Sequence, residues 1–275
     1  MAGCAFLWSL AGLFIKLSSW NAFAIAGGRS AVAFLFLWAC VRRPRFTFSL
    51  PQIGAAAANV ATMLLFIYAN KATSSANAIL LQYGAPIYVA VIGSMLLKEK
   101  PRSEHWGALG AIVVGMVLLF ADSLGRGSFA GNFAAALAGL TFALNIVFMR
   151  MQKEGSPVES LMLSHAATAL IGFAVAAFLP APRLDLASLA AVLGLGVLQI
   201  GLASILYSYA IRRISAVESV LVAVIEPVMN PVWVFLATGE APSPRAIAGG
   251  AVIVAAVVVS TVVSVRREGG KKSQA

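Results

Sequence analysis

Apolar residues fall into repeated blocks along the chain, separated by short polar connections. Each block has about twenty residues, the length that crosses a hydrocarbon core of ~30 Å. Most prolines and charged residues fall in or beside the connections, where they are tolerated best. The pattern predicts an all-α integral membrane protein with ten transmembrane helices. The predicted spans are 2–19, 21–41, 51–70, 73–97, 103–121, 129–151, 156–179, 186–210, 215–238 and 244–265.

Composition supports this class. Hydrophobic residues make up 60% of the chain and charged residues 11%, with a mean hydropathy of +0.91, whereas soluble domains are about a quarter charged. A net charge of +10 would suggest nucleic acid in a soluble protein. Here the basic residues lie in loops, so we expect the lipid bilayer as a partner and no nucleic acid.

The basic residues also predict orientation. Most of them fall in connections that would share one side of the membrane, and Lys- and Arg-rich loops remain in the cytoplasm. Both termini are therefore expected in the cytoplasm. The basic stretches are 42–45, 98–102, 150–153, 212–213 and 266–272.

The two halves of the chain resemble each other. A shift of 127 aligns Phe6, Leu10 and Gly12 with Phe133, Leu137 and Gly139, and a shift of 136 aligns Arg29 with His165. We therefore predict two five-helix repeats, residues 1–121 and 129–266. Five spans is an odd number, so the second repeat must be inverted, as in carriers that alternate access around a central site. A shift of 141 gives the pairs Tyr68–Tyr209, Ser74–Ser215, Pro86–Pro227, Glu99–Glu240 and Pro101–Pro242.

The stretch 215–242 carries an acid at membrane depth. A charge there costs about 2.5–3.5 kcal/mol on insertion scales, so it usually faces protein or water. Pro227 and Pro231, like Pro86 in the fourth span, remove helix N–H groups and predict kinks. Backbone freed in this way must line a cavity or contact other helices. Glu226 is therefore the first candidate for a transport site.

Polar and aromatic residues recur on one face of several other spans, at helical spacing. Amides beside aromatic walls suit a small amphipathic solute with a flat apolar part. The predicted cavity residues are Trp8, Asn59, Met63, Gln82, Tyr83, Asn145, Phe148, His165, Tyr207, Glu226 and Asn230.

Structural roles compete with this interpretation. Amides in membranes often only join helices, and His165 has the alternative of a hydrogen-bonded bundle histidine. Arg29 is expected to snorkel to the outer face, with attraction of an anion as its second role. Gly107, Ala111 and Gly115 form a small-residue face in the fifth span, which predicts a brace for the bundle or a dimer face.

No motif indicates an enzyme. HExxH, GxSxG, CxxC and phosphate-loop patterns are missing from the sequence. Cys4 and Cys40 lie far apart in apolar segments. We expect no catalytic residues, no metal and no cofactor. A channel or a membrane scaffold remains an alternative to a carrier.

The fourth span ends in Leu97-Lys98-Glu99-Lys100-Pro101, and the ninth carries Glu226-Pro227 and ends in Gly239-Glu240-Ala241-Pro242. With the repeat, these motifs resemble EamA-type members of the drug/metabolite transporter superfamily over the whole chain. The resemblance is greatest to bacterial inner-membrane exporters of aromatic amino acids. It implies a basket of helices one to four and six to nine around a central cavity, and export without ATP. Export of cationic drugs or other metabolites is the alternative.

Overall fold

Helices account for the regular structure, and no strand occurs in the part of the chain that is described. The computed structural model describes residues 1–125, 128–155, 157–239 and 241–272. It describes only the backbone of residues 16, 71, 75, 231, 234, 237, 238 and 268–272. Within these ranges the prediction of an all-helical protein is confirmed.

The helices follow the predicted blocks closely, with extra interruptions inside some of them. In chain order they are α1 Ala2–Ser9, α2 Ala11–Leu17, α3 Ala22–Cys40, α4 Leu50–Ala72, α5 Ser75–Gln82, α6 Ala85–Leu96, α7 Ser103–Phe120, α8 Phe129–Met151, α9 Val158–Ala176, α10 Leu186–Gly194, a π-helical stretch Leu195–Leu202, α11 Ala203–Ile211, α12 Ala216–Ala223, α13 Ile225–Thr238 and α14 Pro244–Lys272.

Eight segments of the described chain are helical, long enough and apolar enough to cross a membrane. They correspond to the second to eighth and the tenth predicted spans. The first predicted span holds a shorter apolar segment, Ala2–Ile15. The ninth is divided at Val224 into α12 and α13. A total of ten spans therefore remains a prediction.

The fourth and ninth predicted spans share one backbone design. The first is interrupted at Tyr83 and Gly84 and the second at Val224, and Tyr83 aligns with Val224 at the shift of 141. Each interruption falls three residues before a proline, Pro86 or Pro227. A proline ring excludes the carbonyl four residues earlier from helical bonding, so the helix ends just after that carbonyl. The side chain at position 231 lies outside the described residues.

The ends of these two spans also correspond. Ser74 caps α5 by accepting the N–H of Asn77, and Ser215 caps α12 by accepting the N–H of Glu218. Such caps satisfy N–H groups that have no partner inside the helix. At the other end, Lys98 has a φ of 56° and its counterpart Gly239 a φ of 74°. Both spans therefore begin and end with the same local geometry.

Glycines set the closest helix contacts. A methyl group added at Gly249 of α14 would lie 2.5 Å from the carbonyl oxygen of Gly115 of α7. Gly172 of α9 is similarly close to Gly27 of α3. Small residues let helix backbones approach in this way. The predicted bracing role of the fifth span thus involves Gly115, whereas Gly107 faces open space.

The π-helical stretch Leu195–Leu202 was not predicted. Gly196 in this stretch packs on Val32 of α3, and Gly201 packs on Phe36 of the same helix. The main apolar core includes Cys4, Val89 and Tyr207. Trp8 and Tyr83 pack against that core while remaining partly exposed.

Candidate functional site

Glu226 is held by a tyrosine of the other interrupted span. The Tyr83 hydroxyl donates a hydrogen bond of 2.8 Å to Oε2 of Glu226. Tyr83 ends α5 and Glu226 lies in the first turn of α13, so the bond runs between the two interruptions. Both side chains are half-buried. Among the described residues no cation is paired with this carboxylate, and Oε1 has no hydrogen-bond partner. A proton or a cationic group can therefore bind there.

Trp8 lies in an aromatic corner. Its ring meets Tyr207 edge-on at a centroid distance of 5.5 Å and Phe142 at 6.3 Å. The Tyr207 hydroxyl donates to Oδ1 of Asn145 at 3.4 Å, and Nδ2 of Asn145 donates to the carbonyl of Ala55 at 2.9 Å. Three predicted cavity residues are thus in direct contact. Phe142 was missed because it lies beside the face that the spacing selected.

Other predicted residues make contacts between neighbouring helices. Asn59 donates from Nδ2 to the hydroxyl of Ser164, and a ring nitrogen of His165 lies 3.4 Å from the hydroxyl of Ser204. Phe148 packs tightly on Gly54. In this conformation Asn59 and His165 perform the helix-joining role that was the alternative to solute binding.

Two glycines lie against the interrupted spans. A methyl group added at Gly139 of α8 would lie 2.7 Å from the carbonyl oxygen of Gln82, the oxygen excluded from helical bonding by Pro86. A methyl group added at Gly12 of α2 would lie 2.5 Å from Oδ1 of Asn230. That amide oxygen is buried and has no hydrogen-bond partner. Gly12 and Gly139 are the pair aligned by the shift of 127.

The expectation that Arg29 snorkels to the outer face is wrong. Its Nη2 donates to the sulfur of Met63 at 3.4 Å, and Met63 lies near the middle of α4. The side chain is half-buried, and its Nε is buried without a partner. Arg29 also interacts electrostatically with His165. The guanidinium therefore points into the helix bundle. Its contact with Met63, a predicted cavity residue, was not predicted from the sequence.

Two hollows lie away from these residues. One, of about 300 Å³, is lined by Glu99, Arg102, Arg150 and Glu218. Another, of about 250 Å³, contains Tyr209. Neither of the two is lined by a predicted cavity residue.

Beside the first hollow, Arg150 Nε donates to Oε1 of Glu99 at 2.7 Å. Oε2 of Glu99 accepts the N–H of Ala216 at 3.0 Å, at the beginning of α12. These bonds join the end of the fourth predicted span to the sixth and the ninth.

A carboxylate also caps a helix at the opposite end of the fold. Asp185 accepts hydrogen bonds from the N–H and the hydroxyl of Ser188 and from the hydroxyl of Ser19. These donors, the Ser188 N–H first, lower the pKa of Asp185. Among the described residues no group of three His, Cys, Asp or Glu side chains is placed to hold a metal ion.

Comparison with known proteins identifies the family. The model of the EamA-like transporter family matches residues 1–121 and 129–262. The chain belongs to the EamA-like transporter family. Resemblance to the drug/metabolite transporter superfamily is thereby confirmed, and membership favours transport over catalysis. An uncharacterized transporter from Archaeoglobus fulgidus is 27% identical over 211 residues, covering 76% of this chain and 75% of the relative.

The fold of this EamA-like protein also matches a solved one. A protein known from a crystal structure superposes with a TM-score of 0.84 and 21% identity, covering 97% of this chain and 96% of that chain. Identity at this level supports the fold alone. The sequence analysis missed Phe142, which contacts Trp8, and misplaced Arg29, which contacts Met63. The position of Arg29 within an apolar block was the one feature of the sequence that could have indicated its inward direction.

Proposed function

We propose that this EamA-like protein is a ten-span secondary transporter built from two inverted five-helix repeats, residues 1–121 and 129–266. The helix pairing supports this because it is preserved when the halves are exchanged. α8 contacts α4, α5 and α6, and correspondingly α1 contacts α11, α12 and α13. The shared caps, interruptions and positive φ angles of the fourth and ninth spans support the same relation.

The observation that carries the transport proposal is the bond between Tyr83 and Glu226. It links two interrupted helices, and carriers place their solutes beside such interruptions. A half-buried acid with one unoccupied oxygen can exchange a proton or hold the ammonium group of a solute. During a cycle of alternating access the bond would break and reform as the two interrupted spans change their separation.

The proposed solute is an aromatic or other neutral amino acid. Trp8, Tyr83 and Phe148 offer aromatic surfaces on which a flat side chain can stack. Amides such as Gln82 and Asn230 can hydrogen-bond the polar end, and Oδ1 of Asn230 is buried without a partner. Each of these five residues is partly exposed, so its side chain can meet a solute.

We place the protein in the bacterial inner membrane, with both termini in the cytoplasm and export as the direction. The distribution of Lys and Arg among the connections supports the cytoplasmic termini, and the resemblance to bacterial inner-membrane exporters implies the membrane and the direction. The bonds of Arg150 and Glu99 would then lie on the cytoplasmic side, and Asp185 on the outer side.

Counterflow tests this function. Purified protein in liposomes loaded with unlabelled tryptophan should accumulate labelled tryptophan transiently and saturably, as a carrier does and a pore does not. Glu226→Gln should slow counterflow and flatten its dependence on pH. Arg245→Gln, at an exposed surface arginine, is the control and should match the wild type. Unchanged transport by Glu226→Gln at every pH would remove Glu226 from the mechanism.

A second candidate is export of cationic drugs, because Glu226 lacks a paired cation among the described residues. Competition by quaternary amines, without competition by amino acids, would favour it.

A further inference from the structure

Arg29 stands as an unmatched charge in the middle of the bundle. It is the eighth residue of α3, and within the described part of the chain its side chain donates one hydrogen bond, to the thioether of Met63. A thioether sulfur is a weak acceptor, whereas a guanidinium has five N–H donors. The Nε is buried and has no partner. Most of the binding capacity of this side chain is therefore unused within the protein.

No carboxylate of the described residues neutralises Arg29. Glu99 pairs with Arg150, Asp122 pairs with Arg245, and Glu226 accepts from Tyr83. An unpaired charge at membrane depth is expensive. An anion from outside the chain would satisfy both the charge and the free N–H groups.

Further polar atoms on α3 and on the elements that pack against it lack partners as well. α3 packs against α9 and against the π-helical stretch. Each of these elements carries a buried polar side-chain atom without a hydrogen bond: Ser30 Oγ, Thr168 Oγ1 and Gln199 Oε1. Buried polar atoms in native structures are normally paired. A polar ligand held between these elements would supply partners for such atoms.

Depth places Arg29 level with Glu226. At a rise of 1.5 Å per residue, Arg29 lies about 12 Å from the outer end of its helix, and Glu226 about 16 Å from the inner end of its span. In a hydrocarbon core of ~30 Å the two groups are at nearly the same level. Both charged groups therefore lie far from either membrane surface.

We propose that Arg29 binds the carboxylate of the transported solute. This assignment rests on the proposed transport function and sharpens it: the solute carries a carboxylate, as an amino acid does. A guanidinium binds a carboxylate through two parallel hydrogen bonds, which neither an amide nor a lysine reproduces.

Paired ligands test the assignment. Binding of L-tryptophan, L-tryptophanamide, L-leucine and L-leucinamide to purified protein is measured by titration calorimetry. In wild type each acid should bind more tightly than its amide. In Arg29→Gln and Arg29→Lys the acids should bind about ten- to a hundredfold more weakly, while the amides keep their affinity. Arg245→Gln is the matched control and should keep the wild-type ratio of acid to amide.

The ratio of acid affinity to amide affinity distinguishes a loss of carboxylate binding from misfolding, because a misfolded variant would bind both acids and amides more weakly. Leucine binding that depends on Arg29, without tryptophan binding, would uphold the carboxylate assignment and reject the aromatic solute. Equal loss for acids and amides in both variants would overturn the assignment. So would a wild-type protein that binds no acid of the panel.

Discussion

The Tyr83 hydroxyl bonds to Glu226 across the interruptions of two helices that occupy corresponding positions in the two halves of the chain. Nothing else in the described structure joins these two interruptions through side chains so directly. A change in the bond should therefore affect transport more than stability.

We expect Tyr83→Phe to slow tryptophan counterflow about tenfold, because removal of the hydroxyl withdraws a hydrogen bond to a charged group, which contributes about 1.5–3 kcal/mol. Glu226→Gln should slow it further. The double variant should be no slower than Glu226→Gln, since residues in one hydrogen bond are not additive. Initial rates in liposomes measure this. Fully additive losses would show that the two residues act separately.

Gly139→Ala should destabilise the protein by about 1–3 kcal/mol through overpacking. The new methyl would lie 2.7 Å from the Gln82 carbonyl oxygen, which belongs to the backbone and cannot rotate away. Gly12→Ala meets the end of the Asn230 side chain and should cost less stability. Thermal unfolding in detergent measures both.

Gly107→Ala provides the control for these variants. A methyl there meets nothing within 4 Å, so the substitution should stabilise the helix by about 0.5–1 kcal/mol. A melting temperature for Gly139→Ala equal to that of Gly107→Ala would contradict the close contact at Gln82.

Glu99→Ala should lower stability by about 1–3 kcal/mol, since it leaves Arg150 Nε and the Ala216 N–H without their acceptor. Both partners are partly buried, with the Arg150 side chain 12% exposed. Glu99→Gln keeps an acceptor and should lose less. Arg245→Gln breaks an exposed pair, whose side chains are 68% and 43% exposed, and should change the melting temperature little. An equally small change for Glu99→Ala would show that the buried bonds contribute nothing.

Asp185 should make stability depend on acid pH. Hydrogen bonds from Ser188 and Ser19 lower its folded pKa below the ordinary 3.8. A lowered folded pKa gives stability that is present above the unfolded value and is lost as the pH falls through the folded value. Asp185→Asn still caps the helix but does not titrate, so its melting temperature should fall less steeply in acid. Parallel curves for the two proteins would contradict this role.

The prolines predicted which spans are interrupted but not the contacts that the interruptions make. Pro86 and Pro227 act on the carbonyl four residues earlier, a local effect that the sequence contains. That Gln82 would then face Gly139 depends on how two distant helices pack. The contacts of the π-helical stretch likewise depend on the packing of distant helices, because its glycines pack against Val32 and Phe36 of α3.

Side-chain direction was the least predictable feature. Helical spacing selected the faces that hold Asn59 and Asn145, but it does not tell whether a face meets a solute or a neighbouring helix. The Arg29 side chain is long enough to reach either the membrane surface or the interior of the bundle. Its contact with Met63 of α4 places it in the interior, and the sequence of α3 alone does not reveal that contact. Family membership was predictable because the motifs at the span ends are local in sequence.

Lys98 and Gly239 have the same left-handed backbone although they differ in every property of their side chains. A lysine adopts that geometry at a penalty that glycine does not have. Under the proposed repeat, the torsion angles at these two positions record a relation that the residue types do not show. In relatives whose halves no longer align by sequence, the left-handed residue at the end of this span is the position to compare.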